Sequence, residues 1–395
     1  MNATEPTNPE IYFDNNATTR PFPEVVDAMM ACYRLGPLNA SSIHEAGTRA
    51  RKKLTEARER VAGALEVLPN QVVFTSGATE ANHIILRNLM AGAMKGFRLV
   101  TSAVEHSSIL EAARWLENRG GDVDILPVDG NGLIDLTDVA RAIVPGRTLV
   151  SVQWANNETG VVQRLEAIAE LCQAKGALLH SDGVQAVGKL PVDLAAVPVD
   201  FLSMSGHKLH GPVGSGVLFR RNPGALASFL PGGGQESGLR PGTENLPAAV
   251  GFSLALEHRL GRLQQVMTDF RSLRDRFEIG LQEAGLVEAI NGTGVERIPN
   301  TSSVTFSGVD GEALLLRLDQ EGVRCSQGSA CTNRKPEPSY VLRAMGLTED
   351  EAFRSVRFSF SEFNSRDEVD AALAKLKALH SVLRRFHVPP PTAMT

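Results

Sequence analysis

Cysteine is scarce in this chain: Cys32, Cys172, Cys325 and Cys331 are the only four in 395 residues. They form neither a Cys-x-x-Cys zinc pair nor a dense disulfide pattern, so reduced thiols are expected. Long apolar runs are missing too. No stretch approaches the roughly 20 residues that a membrane span needs, and Met1–Glu10 is polar with no apolar signal core, so a cytoplasmic protein is expected. Charge of one sign is also lacking: the formal net charge is -5 with 22% charged residues, which speaks against a nucleic-acid surface or a membrane-binding face. Repeats and low-complexity segments are absent. What is present is an ordinary composition, 43% hydrophobic, long enough for one large domain and a smaller one.

Ile11-Tyr12-Phe13 reads as a brief strand, and Asp14–Thr19 as a polar turn before a helix that starts at Pro21/Pro23. Val25, Val26, Met29, Met30 and Tyr33 are expected to share one face of that helix. Leu38–His44 reads as a loop, and behind it Ala50, Leu54, Ala57, Val61 and Leu65 recur at helical spacing. From Gln71 the pattern changes to short apolar runs, such as Val72-Val73-Phe74, Leu149–Val152 and Phe201-Leu202, separated by helical stretches. Strands alternating with helices predict a mostly parallel α/β sheet, whose carboxyl strand ends are where ligands bind. A glycine-rich loop, Pro231–Thr243, precedes one long helix predicted from about Leu246 to Gln282, with the domain change inside it. The expected division is a large domain at 18–262 and a small α+β domain at 1–17 and 263–395, with a loose Pro389-Pro390-Pro391 tail.

Polar residues gather at the predicted strand ends. Phe201-Leu202-Ser203-Met204-Ser205-Gly206-His207-Lys208 is an apolar strand that delivers a lysine into a turn, where its amine is either solvated or drawn into chemistry. Thr75-Ser76-Gly77-Ala78-Thr79-Glu80 leads from a strand into a helix, which suits a phosphate cradle or an ordinary capped helix equally in kind. It lacks a P-loop lysine, so nucleotide hydrolysis is not indicated. His106 follows the strand near Leu99, placed either to stack on an aromatic ligand or to serve structurally. Asn156-Asn157-Glu158 follows another strand, and an amide there either meets a ligand oxygen or makes a turn. Asp182 ends a further strand, where a buried carboxylate pairs with a cation or caps a helix. A protonated ring nitrogen as that cation would make the ring an electron sink.

Taken together, an amine, a phosphate cradle, a carboxylate and a planar side chain are what pyridoxal phosphate needs. The combination resembles the cysteine desulfurases of the NifS/IscS type, within the class V aminotransferase-like group. The similar segments run from Tyr12–Thr19 through Thr75–Glu80, Glu105-His106, Ala155–Gly160, Asp182–Gln185 and Ser205–Lys208 to Arg240–Asn245 and Ser329-Ala330-Cys331. The resemblance implies the pyridoxal-phosphate fold type I and assigns roles where residues match. Lys208 would hold the cofactor covalently, with Ala78, Thr79, Ser205 and His207 around its phosphate and His106 stacked on its ring. Asp182 would face the pyridine nitrogen, Gln185 the phenolic oxygen, and Asn157 the substrate and ring. In a homodimer, Thr243 would reach the phosphate of the partner's cofactor. Arg357 would pair with the substrate carboxylate, a task suited to a bidentate fork, and Asn39 would line the same pocket.

Cys331 sits in a stretch of small residues, unlike Cys32 and Cys172, which fall within helical patterns. Cys325, following the Val323 strand, reads as buried rather than reactive. A mobile thiolate at Cys331 suits a nucleophile that takes sulfur from L-cysteine as a persulfide, leaves L-alanine, and hands the sulfur to an acceptor such as an iron–sulfur scaffold protein. No metal site is assigned, beyond transient ligation of an iron–sulfur cluster by Cys331. Selenocysteine lyases, other aminotransferases or lyases of this fold, and a non-catalytic scaffold remain as alternatives. The chain departs from the pattern at Ala40, where proline is usual, at Gly183-Val184, where Ala-Ala is common, and at His210, where an aromatic is frequent and the effect on the pocket is left open.

Overall fold

The computed structural model describes residues 10–37, 39–92, 94–228, 230–328 and 337–384. The segment with Cys331 and the Pro389–Pro391 tail lie outside the described residues. The chain opens with strand β1 (Ile11–Tyr12), helix α1 (Pro23–Arg34) and helix α2 (Glu45–Ala64). Proline at the first turn suits α1 because its missing N–H would be unpaired there anyway. The His44 side chain accepts from the Gly47 N–H and caps α2.

From residue 72 strands and helices alternate as β2 (Val72–Thr75), α3 (Ala78–Arg87), β3 (Arg98–Ser102), α4 (Ser107–Glu117), β4 (Val123–Leu126) and α5 (Leu136–Ala142). The series continues with β5 (Thr148–Ser151), α6 (Leu165–Lys175), β6 (Leu178–Asp182), β7 (Phe201–Ser205) and β8 (Gly216–Arg220). These seven strands, β2 to β8, form one sheet in the order β2-β8-β7-β6-β5-β3-β4. All neighbours among β3 to β7 run parallel, and β8 runs antiparallel to both β7 and β2. The strand period of two divides the apolar residues between two faces. Val72, Phe74, Val100, Val150, Leu179, Leu202, Val217 and Phe219 pack with α2, α5, α6 and the later helix at 246. Val73, Leu99, Leu149, Phe201 and Leu218 pack on the other face against α3 and α4. Helices on both faces bury the sheet, which explains its near-continuous apolar strands.

The predicted long helix is two helices, α7 (Leu246–Gly261) and α8 (Leu263–Glu283), broken at Arg262. Gly261 is a weak helix former, and Arg262 donates to Glu362 at 3.2 Å, outside the helical path. The break has a packing reason. Leu246, Phe252 and Leu256 of α7 join the large core, whereas Leu273, Phe277 and Leu281 of α8 join a second one.

The remaining elements are β9 (Val287–Ile290), β10 (Thr301–Phe306), α9 (Gly311–Gln320), β11 (Val323–Arg324), α10 (Tyr340–Ala344), α11 (Glu349–Phe353), β12 (Ser355–Ser359) and α12 (Arg366–Leu383). Val341, Leu342 and Ala352 of α10 and α11 pack around Val104 in a separate cluster, and the other elements build the second core. β10 lies between β12 and β9, antiparallel to both, while β1 pairs in parallel with β11. Aromatic rings fill it: Phe277 lies 4.7 Å from Phe358, and Phe13 lies 4.8 Å from Phe360. Ile11 and Phe13 belong to this cluster. We propose the domain boundary between residues 262 and 263, with residues 1–17 returning to the smaller unit; this partition of the cores supports it.

The face expected for α1 divides in two. Val25 and Cys32 are buried, and Met29 packs at Gly251 of α7, whereas Val26, Met30 and Tyr33 are exposed. The stripe that packs is Val25-Met29-Cys32, and the residues one position further on turn outward.

Candidate active site

A cavity of about 440 Å³ opens at the carboxyl ends of β2, β6 and β7, the place where parallel sheets bind ligands. Ten predicted residues line it: Ala78, Thr79, His106, Asn157, Asp182, Gln185, Ser205, His207, Lys208 and Arg357. Asn39 does not. It is exposed, and its side-chain oxygen accepts from the Ser41 N–H to make a local turn. Thr243 is likewise exposed and outside the cavity of its own chain. Cys331 lies outside the described residues.

Lys208 follows β7 through one short helical turn, Gly206–Lys208. Its Nζ donates to the carbonyl oxygens of Asn16 (2.5 Å) and Ala17 (2.6 Å), so the turn after β1 forms the seat of the amine. Asn16 is buried and among the described residues makes seven such bonds, the one from Lys208 included. Its N–H donates to Ser359 Oγ (2.9 Å), and its Nδ2 donates to Thr301 Oγ1 (2.8 Å) and to the Asn157 carbonyl (3.1 Å). Its Oδ1 accepts from Lys189 (3.0 Å) and Asn300 (3.2 Å), and its carbonyl also accepts from Gln185 Nε2 (3.1 Å). Sequence reasoning quoted Asn16 only within a motif; its partners are spread over the whole chain, so no local pattern marks it.

His106 is the N-cap of α4, and its Nδ1 accepts from the Ser108 N–H at 3.1 Å. Burial lowers its pKa, Lys208 adds to that, and Asp182 opposes it. Ser108 Oγ and Asp182 Oδ2 both accept from Asn82 Nδ2 at 3.0 Å, which links His106 to Asp182 through two residues that the sequence reading missed. Asp182 also accepts from the Val184 N–H at 3.1 Å. It is 7% exposed, and among the described residues it has no ion-pair partner. A buried carboxylate of this kind is costly unless a cation joins it. Beneath His106 lies Glu105, fully buried, which accepts from Ser102 Oγ (2.6 Å) and the Gln153 N–H (2.9 Å). Burial pushes its carboxyl pKa up to about 8.

The segment expected to cradle a phosphate lies where β2 passes through Ser76 and Gly77 into α3, so that the start of the helix lines the cavity. Gly216 of β8 lies directly behind: a Cβ there would meet the Gly77 Cα at 2.5 Å, so glycine is needed for that close approach. His207 is pushed down to about 4 by burial and by Lys208 and Lys189, so it is neutral at pH 7, with its Nδ1 hydrogen-bonded to Thr18 Oγ1 at 3.1 Å. Glu80 also lines this end. Burial raises its pKa, but hydrogen bonds from Arg240 (2.8 Å) and Ser76 outweigh that and lower it overall. Arg240 comes from the glycine-rich loop and covers the one acid near the cradle.

Arg357 on β12 crosses from the smaller unit. Its Nη2 donates to Asp14 Oδ1 (2.6 Å), its Nη1 to the Asn157 carbonyl (3.0 Å), and its Nε is buried without a hydrogen bond among the described residues. The Asn157 Oδ1 is in the same condition. His210 does not touch the cavity. It sits behind it, stacked on Phe22 at 4.7 Å and edge-on to Phe363 at 5.2 Å, with Nδ1 bonded to the Arg20 carbonyl. There an imidazole fills an aromatic's place in a packed cluster. Cys325 is half-buried with its thiol pKa pushed up by burial, the condition of an inert thiol. No metal-binding cluster occurs among the described residues.

Topology and cavity placement together define a fold type I transferase scaffold. The family model for aminotransferase class-V matches residues 11–372, and the chain belongs to that family. It is 40% identical over 376 residues to a cysteine desulfurase of Sinorhizobium fredii, covering 95% of this chain and 97% of that protein. It is 37% identical to the cysteine desulfurase NifS of Azotobacter vinelandii, covering 95% and 94%. Among solved structures, a NifS-like protein superposes with a TM-score of 0.88 at 35% identity, covering 95% of this chain and all of that one. This kinship implies pyridoxal phosphate, and the residues present fit it. Among the described residues Asp182 lacks a cation and the Arg357 Nε and Asn157 Oδ1 lack partners, and a Cβ built at Gly77 would meet only Ser205 Oγ, at 4.0 Å, so the start of α3 has room for an anion.

Proposed function

We propose that this chain is a pyridoxal-phosphate-dependent cysteine desulfurase, which converts L-cysteine to L-alanine and passes the sulfur on through Cys331. The observation that carries this reading is the convergence of Lys208, Asp182, His106 and Arg357, from four separate segments, on one cavity. The cofactor, when bound, would supply an electron sink for negative charge developing at the substrate Cα. The α3 amides from Ala78 and Thr79, the Ser205 hydroxyl and neutral His207 hold its phosphate. Asp182, fixed by Asn82 and Val184, holds the proton of the ring nitrogen.

The remaining roles belong to the chain itself. Lys208, seated on two carbonyls, would hold the cofactor covalently and, once released as a free amine, move the Cα proton. His106 has its Nδ1 committed to Ser108, so proton exchange falls to its Nε2. Arg357 receives the substrate carboxylate through a guanidinium that Asp14 already orients. The Cys331 thiolate attacks the substrate sulfur; the Cβ–Sγ bond breaks, its electron pair stays with carbon, which takes up a proton, and the sulfur remains on Cys331 as a persulfide. A protein acceptor, such as an iron–sulfur scaffold, then takes that sulfur.

The working form is a cytoplasmic homodimer in which Thr243 reaches the partner's cofactor. The exposed Val26-Met30-Tyr33 stripe and the exposure of Thr243 support it. No helix of the described residues is long and apolar enough to cross a membrane.

The test is to add L-cysteine to the purified holoprotein without a keto acid. Alanine and protein-bound persulfide are expected in the wild type, while Cys331→Ser keeps the cofactor's visible band and forms neither persulfide nor sulfide. Robust sulfide release by Cys331→Ser overturns the assignment, and turnover of L-selenocysteine alone moves the protein to a different class.

A further inference from the structure

Lys189 is 2% exposed, and the charges that act on it, those of Lys208, Arg259 and Arg357, are all positive. Burial first, and these cations next, lower its pKa well below the usual lysine value. Lysine is almost never buried without an acid beside it, so this placement calls for a reason. Lys189 does not line the cavity. Its Nζ donates to Gln185 Oε1 and to Asn16 Oδ1, the latter at 3.0 Å.

Both amides are fixed by other bonds. Asn16 Nδ2 donates to Thr301 Oγ1 and to the Asn157 carbonyl, so its oxygen must face Lys189. Gln185 Nε2 donates to the Asn16 carbonyl at 3.1 Å, an acceptor that admits no amide oxygen, so Oε1 must face Lys189 as well. Among the described residues, Gln185 Nε2 has this one acceptor for its two hydrogens, and Gln185 lines the cavity.

We infer that Lys189 is a positioning residue: by holding Gln185 Oε1 it presents the remaining N–H of that amide to the phenolic oxygen of the cofactor's ring. This rests on the pyridoxal-phosphate reading above. A donor to the phenolic oxygen, like a nearby cation, disfavours an added proton on the bound cofactor. Loss of Lys189 frees the amide and therefore raises the pH at which the cofactor's visible band titrates. The other titratable or charged groups around the cavity are Glu80, His106, Asp182, His207, Lys208 and Arg357, and all are unchanged in the comparison.

The experiment is a pH titration of the visible band in four holoproteins: wild type, Lys189→Met, Gln185→Ala and the double variant. Lys189→Met is expected to raise the midpoint by about one pH unit, a tenfold change in proton affinity. In the Gln185→Ala background the same substitution is expected to add little, because its effect passes through that amide. Lys189→Gln keeps hydrogen-bonding atoms at the same depth, covers the case in which Lys189→Met does not fold, and moves the midpoint in the same direction. An unshifted midpoint in a folded variant, or full additivity in the double variant, overturns the inference. Absence of any borohydride-bleached band in the wild type overturns the cofactor reading itself, and this inference with it.

Discussion

Glu105→Gln tests whether the acid beneath His106 is held in its neutral form. Its carboxyl pKa is raised from 4.5 to about 8, chiefly by burial, against the hydrogen bonds from Ser102 and Gln153. Between those two values the native protein keeps a proton that the unfolded chain has released, so this residue makes stability fall as pH rises. Each unit is worth about 1.4 kcal/mol, which amounts to roughly 3 kcal/mol by pH 7 and about 5 kcal/mol above pH 8. For a chain of 395 residues the unfolding entropy is on the order of 0.8 kcal/mol/K, so the wild type is expected to lose ~1.6 °C of Tm per pH unit from this group alone. Glutamine has the same shape and no ionisation. The Tm difference between Glu105→Gln and wild-type holoprotein, followed by calorimetry from pH 5 to 9, is expected to grow in favour of the variant up to pH 8 and then level off. A difference that stays constant across that range refutes the reasoning.

Arg357→Lys keeps a positive charge but loses the fork, and a lost charge-assisted bond of 1.5–3 kcal/mol corresponds to a rise in KM for L-cysteine of roughly 10- to 100-fold. Steady-state alanine production measures it, and a KM within twofold of wild type contradicts the placement. Glu236 has a side chain only 2% exposed and binds Arg58 and the Phe74 N–H, at 2.6 and 2.9 Å. Glu236→Ala leaves the Phe74 N–H without its acceptor and Arg58 without an acid, with only the Val72 carbonyl to receive it, and is expected to cost about 3–5 kcal/mol in urea unfolding; a loss below 1 kcal/mol counts against it.

The features legible in the sequence are those carried by local pattern. Alternating apolar runs marked the sheet, and Lys208 and Asp182 were visible because each ends an apolar strand with a polar residue. Asn82, Ser108 and Lys189 were not, because what defines them is a partner brought close only by folding: Asn82 meets Asp182 across 100 residues. The apolar flanks of Lys189, Ala186-Val187 and Leu190, were the one available signal of its burial. The break at Arg262 escaped notice because a helical period runs unchanged through Gly261; only the need to serve two cores separates α7 from α8. Asn39 stands apart from the cavity because its amide closes a local turn with Ser41, a contact that a resemblance in residue type does not reveal.

Asn16 joins residues that leave the ribosome far apart in time. Its contacts to Thr301 and Ser359 are 285 and 343 residues away. The seat of the amine is therefore completed only after Ser359 has been made, and a nascent or truncated chain that stops before it carries Lys208 without the surrounding framework. A polypeptide built this way does not acquire its site piecemeal; the earlier thread must wait for the later one.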